Sequence, residues 1–454
     1  MEDIEPSCGV LDFVSDGTVQ RRFVVDCGAV SVREDGTERV VTADLSPLRD
    51  GRKVDAVLLT HAHMDHMGGL AALAPHLSRQ ARILMTRPTM RSVRHIIETE
   101  LRGRTSWANR PYSQASAHET LRRLDAIERP GVISVLGTDI LVWPSGHIGG
   151  ACSFTFRLGG KTVLYSGDRC DSDQTPVLGP TPMPYNWTPD IIAGSDCTYG
   201  ASDEEPPNWD SELSRLVNLC RERVTASRTV MVYGFSLHRA GIVAAVLDRA
   251  GIAAEYPVYL DGAAAVARAK MMTEPEHLWC DRDRLVRFDD VRIIQDRRDR
   301  TDAMRAPGGK IVIATSGMGG PGSGVPWRPT VFPDEGATVI FTGYVADDSD
   351  GAKVLKAFAE QQPGKPARLT LAETDHMGKP HEVKYALACD VQRVRLGGHN
   401  GPKGTLQWFR DMNAGVNVVS HGCVPALTRV AETLASEGMT VVRADQQPVV
   451  EIEL

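Results

Sequence analysis

Short apolar runs that end in a polar, glycine-bearing turn recur along this chain. Val54-Asp55-Ala56-Val57-Leu58-Leu59, Val163-Leu164-Tyr165, Ile191-Ile192-Ala193, Thr229-Val230-Met231-Val232-Tyr233 and Val418-Val419 are of this kind. Such runs, bounded by turn residues, read as buried strands. Leu70-Ala71-Ala72-Leu73 reads as helix-like, Ser211 to Arg223 as an amphipathic helix, and a further helix begins near Leu237-His238-Arg239-Ala240-Gly241. Further strands are predicted at Pro257–Leu260, Lys310–Ala314 and Thr338–Phe341. Pro206-Pro207 mark a boundary, and the alternation of strand and helix beyond them predicts a parallel α/β domain. The chain divides accordingly into 1–205, an insert at 206–396, and 397–454.

The chemistry sits at the ends of the strands. Thr60-His61-Ala62-His63-Met64-Asp65-His66-Met67-Gly68-Gly69 follows the first run and reads His-x-His-x-Asp-His. Imidazole and carboxylate at this density form a set of zinc-type ligands. On a loop leaving a strand, His61 and His63 can face one metal while Asp65 and His66 turn toward a second. Three further strand ends carry a candidate ligand: His147 in Ser145-Gly146-His147, Asp168 in Ser166-Gly167-Asp168, and His421 in Ser420-His421-Gly422. Each alone reads more often as a structural residue than as a ligand; their joint occurrence is the stronger signal. Asp375-His376-Met377-Gly378 repeats Asp65-His66-Met67-Gly68, but no His-x-His precedes it, and it reads as coincidence. His76, His95 and His118 read as surface or structural residues.

The order of these motifs resembles the metallo-β-lactamase superfamily, an αββα sandwich whose members hydrolyse esters, amides, thioesters and phosphodiesters. The resemblance implies that His61, His63 and His147 hold one metal, that Asp65, His66 and His421 hold another, and that Asp168 bridges them. Two Zn²⁺ are implied, with Mn²⁺ as the alternative ion. Two divalent cations against two carboxylates leave the site net positive, which suits an anionic phosphodiester.

About 250 residues separate Asp168 from His421, room for a second domain of ordinary size. Here the chain is similar to the β-CASP branch, the nucleic-acid-processing nucleases of that superfamily. Asp196 in Ser195-Asp196-Cys197 matches its acidic motif A, His399 in Gly398-His399-Asn400 its motif B, and His421 its motif C. Thr315-Ser316-Gly317-Met318-Gly319-Gly320 is similar to its Gly-rich loop, and Phe341-Thr342-Gly343-Tyr344 to the strand end that follows. By the same resemblance Asp65, Asp196 and His399 are catalytic, with His399 donating a proton to the leaving oxygen and Asp196 orienting it. Ser316, Gly317, Gly319 and Gly320 are candidates for backbone phosphate contacts. Arg239 is a candidate for a bidentate phosphate contact; a solvated helix arginine is the other reading.

Three departures bear on substrate path. His399 is followed by Asn400-Gly401 where the branch has His-x-Asp. His421-Gly422-Cys423 replaces His-Gly-Glu. Phe235-Ser236-Leu237-His238-Arg239 replaces Phe-x-x-Gly-Arg. A histidine at motif C goes with RNA-acting members, so the expected function is a zinc-dependent ribonuclease acting on single-stranded RNA between its two domains. It leaves a 5′-phosphate and a 3′-hydroxyl, with endonuclease and 5′-exonuclease action both open. A DNA nuclease of the same fold and a small-molecule ester or phosphodiester hydrolase are the alternatives; a non-catalytic scaffold is disfavoured by the filled ligand positions. Measured against the branch, the sequence reads as a compact form of the cleavage-factor type. On that reading neither the KH-type extension of archaeal relatives nor the C-terminal domain of bacterial ones is expected.

Bulk properties narrow this little. The 454 residues are 42% hydrophobic and 24% charged, ordinary for a globular enzyme. A net charge of −7 argues against a uniformly basic surface but not against a local basic cleft. No apolar run is long enough to span a bilayer, so no membrane partner is expected. The acidic N-terminus lacks signal-peptide features. Nine cysteines, without a Cys-x-x-Cys pair, point to a reducing cytoplasm. A homodimer is left open.

Overall fold

The computed structural model describes residues 6–34, 37–102, 110–174, 176–262, 265–267, 288–320, 322–362, 364–374 and 380–447. These fall into two compact units, one drawn from Glu2–Glu205 and Gly398–Leu454, the other from Pro206–Pro275 and Arg282–Gly397. The repeated motif at Asp375–Gly378 lies outside the described residues. No described helix is long and apolar enough to cross a membrane.

The first unit is a sandwich of two sheets. One has five strands in the order Gly9–Ser15, Thr18–Val25, Ala56–Leu58, Ile83–Thr86, Leu124–Ile127. The other has seven, in the order Val441–Arg443, Val416–Val419, Ile191–Gly194, Lys161–Tyr165, Cys152–Leu158, Thr138–Pro144, Gly131–Val135. Their inner faces share one core. Phe23, Val25, Ala56 and Leu58 pack with Val142, Phe154, Phe156 and Val163, and the Phe23 and Phe156 rings lie 5.5 Å apart. Burial of these side chains is what holds the layers together. The outer face of the larger sheet is covered by the helices Pro402–Met412 and Val424–Ser436. There Leu164 and Ile192 meet Trp408, Phe409, Leu427 and Leu434. The helix Arg87–Arg102 buries Val93, Ile96 and Ile97 and contacts the Ile83–Thr86 and Leu124–Ile127 strands of the smaller sheet. The layering is αββα.

Strand direction explains where the chemistry gathers. Lys161–Tyr165, Ile191–Gly194 and Val416–Val419 are consecutive parallel neighbours, and Thr138–Pro144 runs the same way two strands on. Thr18–Val25 and Ala56–Leu58 are parallel in the other sheet. The loops leaving these ends carry Asp168, Asp196, His421, His147, Asp26 and the His61–His66 motif. The stretch after that motif is a 3-10 helix, Leu70–His76, rather than an α-helix; Pro75 within it denies the next turn an N–H donor.

The second unit is built on a fully parallel six-stranded sheet, in the order Arg292–Ile294, Val258–Asp261, Lys310–Thr315, Thr229–Gly234, Thr338–Phe341, Asp390–Arg393. Both faces are covered, as parallel sheets require. Val230, Val232, Leu260, Ile311, Ile313 and Ile340 pack under the helices Trp209–Thr225 and Arg239–Arg249. The alternate residues Met231, Tyr233, Tyr259, Val312, Val339 and Phe341 pack on the opposite side against Trp327, Phe332, Leu371 and Leu387. The helix expected over Ser211–Arg223 is two residues longer at each end, capped by Asn208 through Ser211 N–H. The Gly-rich loop leaves the Lys310–Thr315 strand, as expected.

Candidate metal centre

Three groups of ligand-type side chains converge at the strand ends of the first unit. In one, His61 Nε2 and His147 Nε2 each lie 3.0 Å from His63 Nδ1 and 3.4 Å from Asp168 Oδ2. In the second, His66 Nε2 lies 2.9 Å from His421 Nε2 and 3.0 Å from Asp168 Oδ1, with Asp65 Oδ2 3.5 Å from His421 Nε2. Asp168 therefore turns one oxygen to each group. The third group is Asp168, Asp196 and His399.

These atoms fit a pair of divalent cations. Ligands about 2.0–2.1 Å from a tetrahedral centre are separated by about 3.3–3.4 Å, close to the spacings above. Asp168 Oδ1 is fully buried and accepts no hydrogen bond of good geometry, although His66 Nε2 is nearby. An orphaned buried oxygen is costly unless something positive faces it. The donor set, imidazole with carboxylate and no thiolate, suits zinc or manganese.

Electrostatics point the same way. Burial pushes the His61, His63 and His147 imidazoles toward their neutral form, His63 to about 4, so all three present lone pairs. Burial opposes charge on His66 and His421 as well, but Asp168 raises both, helped by Asp26 for His66. Their protons occupy the side where a cation would sit, and metal binding would release them. The Asp65 and Asp168 carboxyls, despite burial, are held well below the usual range by the histidines around them.

The far sides of the rings are fastened too. His66 Nδ1 donates to Asp26 Oδ2 at 2.8 Å, and Asp26 also accepts from Thr60 N–H at 2.7 Å and the Thr60 hydroxyl at 2.8 Å. His147 Nδ1 donates to Gly398 O at 2.6 Å. Asp26, Thr60 and Gly398 were not singled out in the sequence. The one available signal was that Asp26 ends an apolar run, Phe23-Val24-Val25, before Cys27-Gly28.

His399 stands beside the cluster, its ring centroid 4.5 Å from that of His147 and 5.4 Å from that of Tyr199. Its Nδ1 donates to Asp196 Oδ2 at 2.8 Å. Burial works against a charged ring, but the Asp196 carboxylate outweighs it and pushes His399 up to about 9. Asp196 is fixed by Arg169 N–H, Thr198 N–H and the Thr198 hydroxyl at 2.7–3.0 Å.

The candidate phosphate contacts all lie in the second unit. Arg239 is the first residue of its helix, but it is buried with its guanidinium 4.5 Å over the Trp209 ring, so it is not a solvated helix arginine. In the Gly-rich loop Ser316 holds a positive φ of 85°, and Gly319 N–H donates back to Ser316 O at 2.9 Å. That N–H is already used within the loop. Gly319 O accepts from the buried Arg328, which also pairs with Asp350 and Glu373. A side chain at Gly317 would collide with the Phe235 ring. His238, where the branch has glycine, holds a φ of 82°. His76 bonds Leu48 O at 3.1 Å and His118 is exposed on a helix, apart from the cluster. Cys197 and Cys423 are buried free thiols.

Comparison with known proteins agrees with this architecture. Residues 21–177 match the family model of the Beta-lactamase superfamily domain, and residues 244–354 that of the Beta-Casp domain. The chain is 25% identical to the "Transcription termination factor FttA" of Methanosarcina mazei over 376 residues, covering 79% of this chain and 57% of that protein. It is 23% identical to "Endoribonuclease ysh-1" of Neurospora crassa, covering 85% of this chain and 48% of that one. It is 26% identical to "Probable RNase MJ4" of Methanocaldococcus jannaschii, covering 67% and 71% respectively. The chain thus spans about half the length of the first two relatives. A solved structure from Enterococcus faecalis, of a protein of unknown function, shares the fold with a TM-score of 0.54 at 13% identity, over 95% of this chain and 94% of that one. The chain belongs to the metallo-β-lactamase superfamily, in its β-CASP branch.

Proposed function

We propose that this chain is a metal-dependent ribonuclease that hydrolyses phosphodiester bonds in single-stranded RNA at the cluster around Asp168. The observation that carries the reading is the sharing of Asp168 between two ligand groups, with the His399–Asp196 pair beside them. Relatives named endoribonuclease and RNase support the choice of RNA as substrate.

His61, His63, His147 and Asp168 Oδ2 would hold one ion, and Asp65, His66, His421 and Asp168 Oδ1 the other. When bound, two such cations stabilise negative charge on a phosphodiester and activate water at neutral pH; zinc is the proposed ion and manganese the alternative. The chain's own residues do the rest. Asp26, Thr60 and Gly398 fix ring orientation. The Asp196 carboxylate favours the charged form of His399 and holds it through Nδ1, which leaves Nε2–H for the departing 3′-oxygen. Asp196 stays ionised and stabilises the imidazolium. The products are a 5′-phosphate and a 3′-hydroxyl. A cytoplasmic setting belongs to the same proposal; its support is the odd cysteine count.

The test is a cleavage time course on 5′-labelled single-stranded RNA and the matching DNA, with Zn²⁺ or Mn²⁺ and an Asp65→Ala control. Cutting of RNA alone, lost in Asp65→Ala while its circular dichroism is unchanged, is expected. The product ladder separates internal cuts from 5′ trimming. Turnover retained by Asp65→Ala would sink the two-metal reading. A metal-loaded protein that cuts neither polymer would overturn the ribonuclease in favour of a small-molecule hydrolase.

A further inference from the structure

Two loops separated by 229 residues in sequence are fastened together beside the cluster. Asn400 N–H donates to Arg169 O at 2.9 Å. The Asn400 side chain completes a clasp: Nδ2 donates to Asp171 Oδ2 at 2.7 Å, and Oδ1 accepts from Asp171 N–H at 2.8 Å. Arg169 Nη2 lies 2.6 Å from the other oxygen of Asp171, so that carboxylate is held from two sides. The clasped segment follows Asp168 directly, and Asn400 follows His399 directly. Between them Arg169 N–H donates to Asp196 Oδ2 at 2.8 Å, the same oxygen that accepts from His399 Nδ1.

We propose that Asn400 is a positioning residue, which sets His399 against the shared carboxylate Asp168 by clasping the segment Arg169–Asp171. The inference rests on the ribonuclease reading, since it gives His399 a proton to deliver. His399 lies in no helix or strand, and its side chain is tethered through Nδ1 to Asp196. Its backbone therefore needs another anchor. An asparagine amide supplies a donor and an acceptor at once, one methylene from the backbone. A carboxylate there would lose the donor and face Asp171 with like charge. Alanine would remove both bonds. Asp171 is 42% exposed, so the clasp adds little to global stability. Its effect falls on geometry, where a displacement of about 1 Å costs up to about 10²-fold in rate.

The experiment uses the metal-loaded full chain. Asn400→Ala and Asn400→Asp are each expected to lower kcat on single-stranded RNA by about 10-fold or more, with KM changed by less than about twofold and metal content unchanged. The double variant Asn400→Asp/Asp171→Asn exchanges donor and acceptor across the clasp, and is expected to recover most of the loss. In parallel, the imidazole ¹⁵N–¹H signals of His399, assigned with His399→Ala, are expected to shift in Asn400→Asp and return in the double variant. Unchanged kcat in Asn400→Ala, or a double variant no better than Asn400→Asp, would overturn the inference. If the parent protein cuts no RNA, the ribonuclease reading fails by itself, and the imidazole spectra still decide the clasp: signals that do not move overturn it.

Discussion

Four of the five imidazoles in the metal cluster meet an oxygen on the ring nitrogen opposite: His61 at Thr60, His66 at Asp26, His147 at Gly398 O and His421 at Thr198. Such contacts select the tautomer that presents a lone pair to the cation and raise its basicity. Asp26 is the only charged one of the four, and it is fully buried. Asp26→Asn keeps the shape and removes the charge, so metal affinity at the His66 group should fall by about 10–100-fold, read by competition with a metallochromic chelator. His399 differs in place: it stands beside the two ligand groups, and the Asp196 carboxylate on its Nδ1 favours the charged ring. His399→Ala should slow RNA cleavage by roughly 10²–10⁴-fold with both metals retained; full activity would remove it from the chemistry. The ligands themselves were legible in the sequence because four of them crowd into His61–His66. The roles of Asp26 and Asn400 were not, because what marks them is a partner 40 or 229 residues away: Asn400 stood out only as a departure from the branch motif, and Asp26 after Phe23-Val24-Val25 looks like any strand end.

Elements bring these residues into register, and one glycine shows how closely. Ser7 N–H donates to Asp65 O at 2.7 Å and Cys27 N–H to His66 O at 2.7 Å, so the segments around Ser7 and Cys27 brace the short helix Met64–Met67. A Cβ on Gly28 would fall 1.7 Å from Asp65 O, which is backbone and cannot step aside. Gly28→Ala should therefore displace Asp65 and His66, costing roughly 2–4 kcal/mol in chemical denaturation and lowering metal content. Near-normal stability with two ions bound would show that the loop yields more easily than its contacts suggest. The parallel sheet of the second unit was readable from its four central strands, which are apolar on both faces and alternate with helices; its edge strands Arg292–Ile294 and Asp390–Arg393, short and partly polar, were not. The 3-10 stretch at Leu70–His76 was not, because its apolar spacing suits either helix and only Pro75 argues for the shorter one. His238 illustrates the converse. The departure from glycine was visible in sequence, but its φ of 82° needed the structure, and a non-glycine residue held there stores strain of order 1–3 kcal/mol.

At the scale of the molecule, the cluster draws its ligands, among the described residues, from the sandwich unit, and a cation there would tie together strands from both sheets. Its removal should be felt as lost stability. Chelation is expected to lower the melting temperature of the sandwich, and re-addition of Zn²⁺ at about 100 times its dissociation constant to restore about 2.7 kcal/mol. A melting curve indifferent to chelator would show that the histidines hold no ion tightly. The chain leaves this unit after Glu205 and returns at Gly398, and the two points are neighbours: Lys403 N–H donates to Glu205 Oε1 at 2.8 Å. Ile191–Gly194 likewise waits for Val416–Val419 as its parallel neighbour. During synthesis on the ribosome, then, seven of the nine residues proposed here for the chemistry emerge early, and His399 and His421 only after the whole insert. A nascent chain has no complete catalytic set while the insert is being made, so an enzyme that degrades RNA would be born inactive beside the message that encodes it.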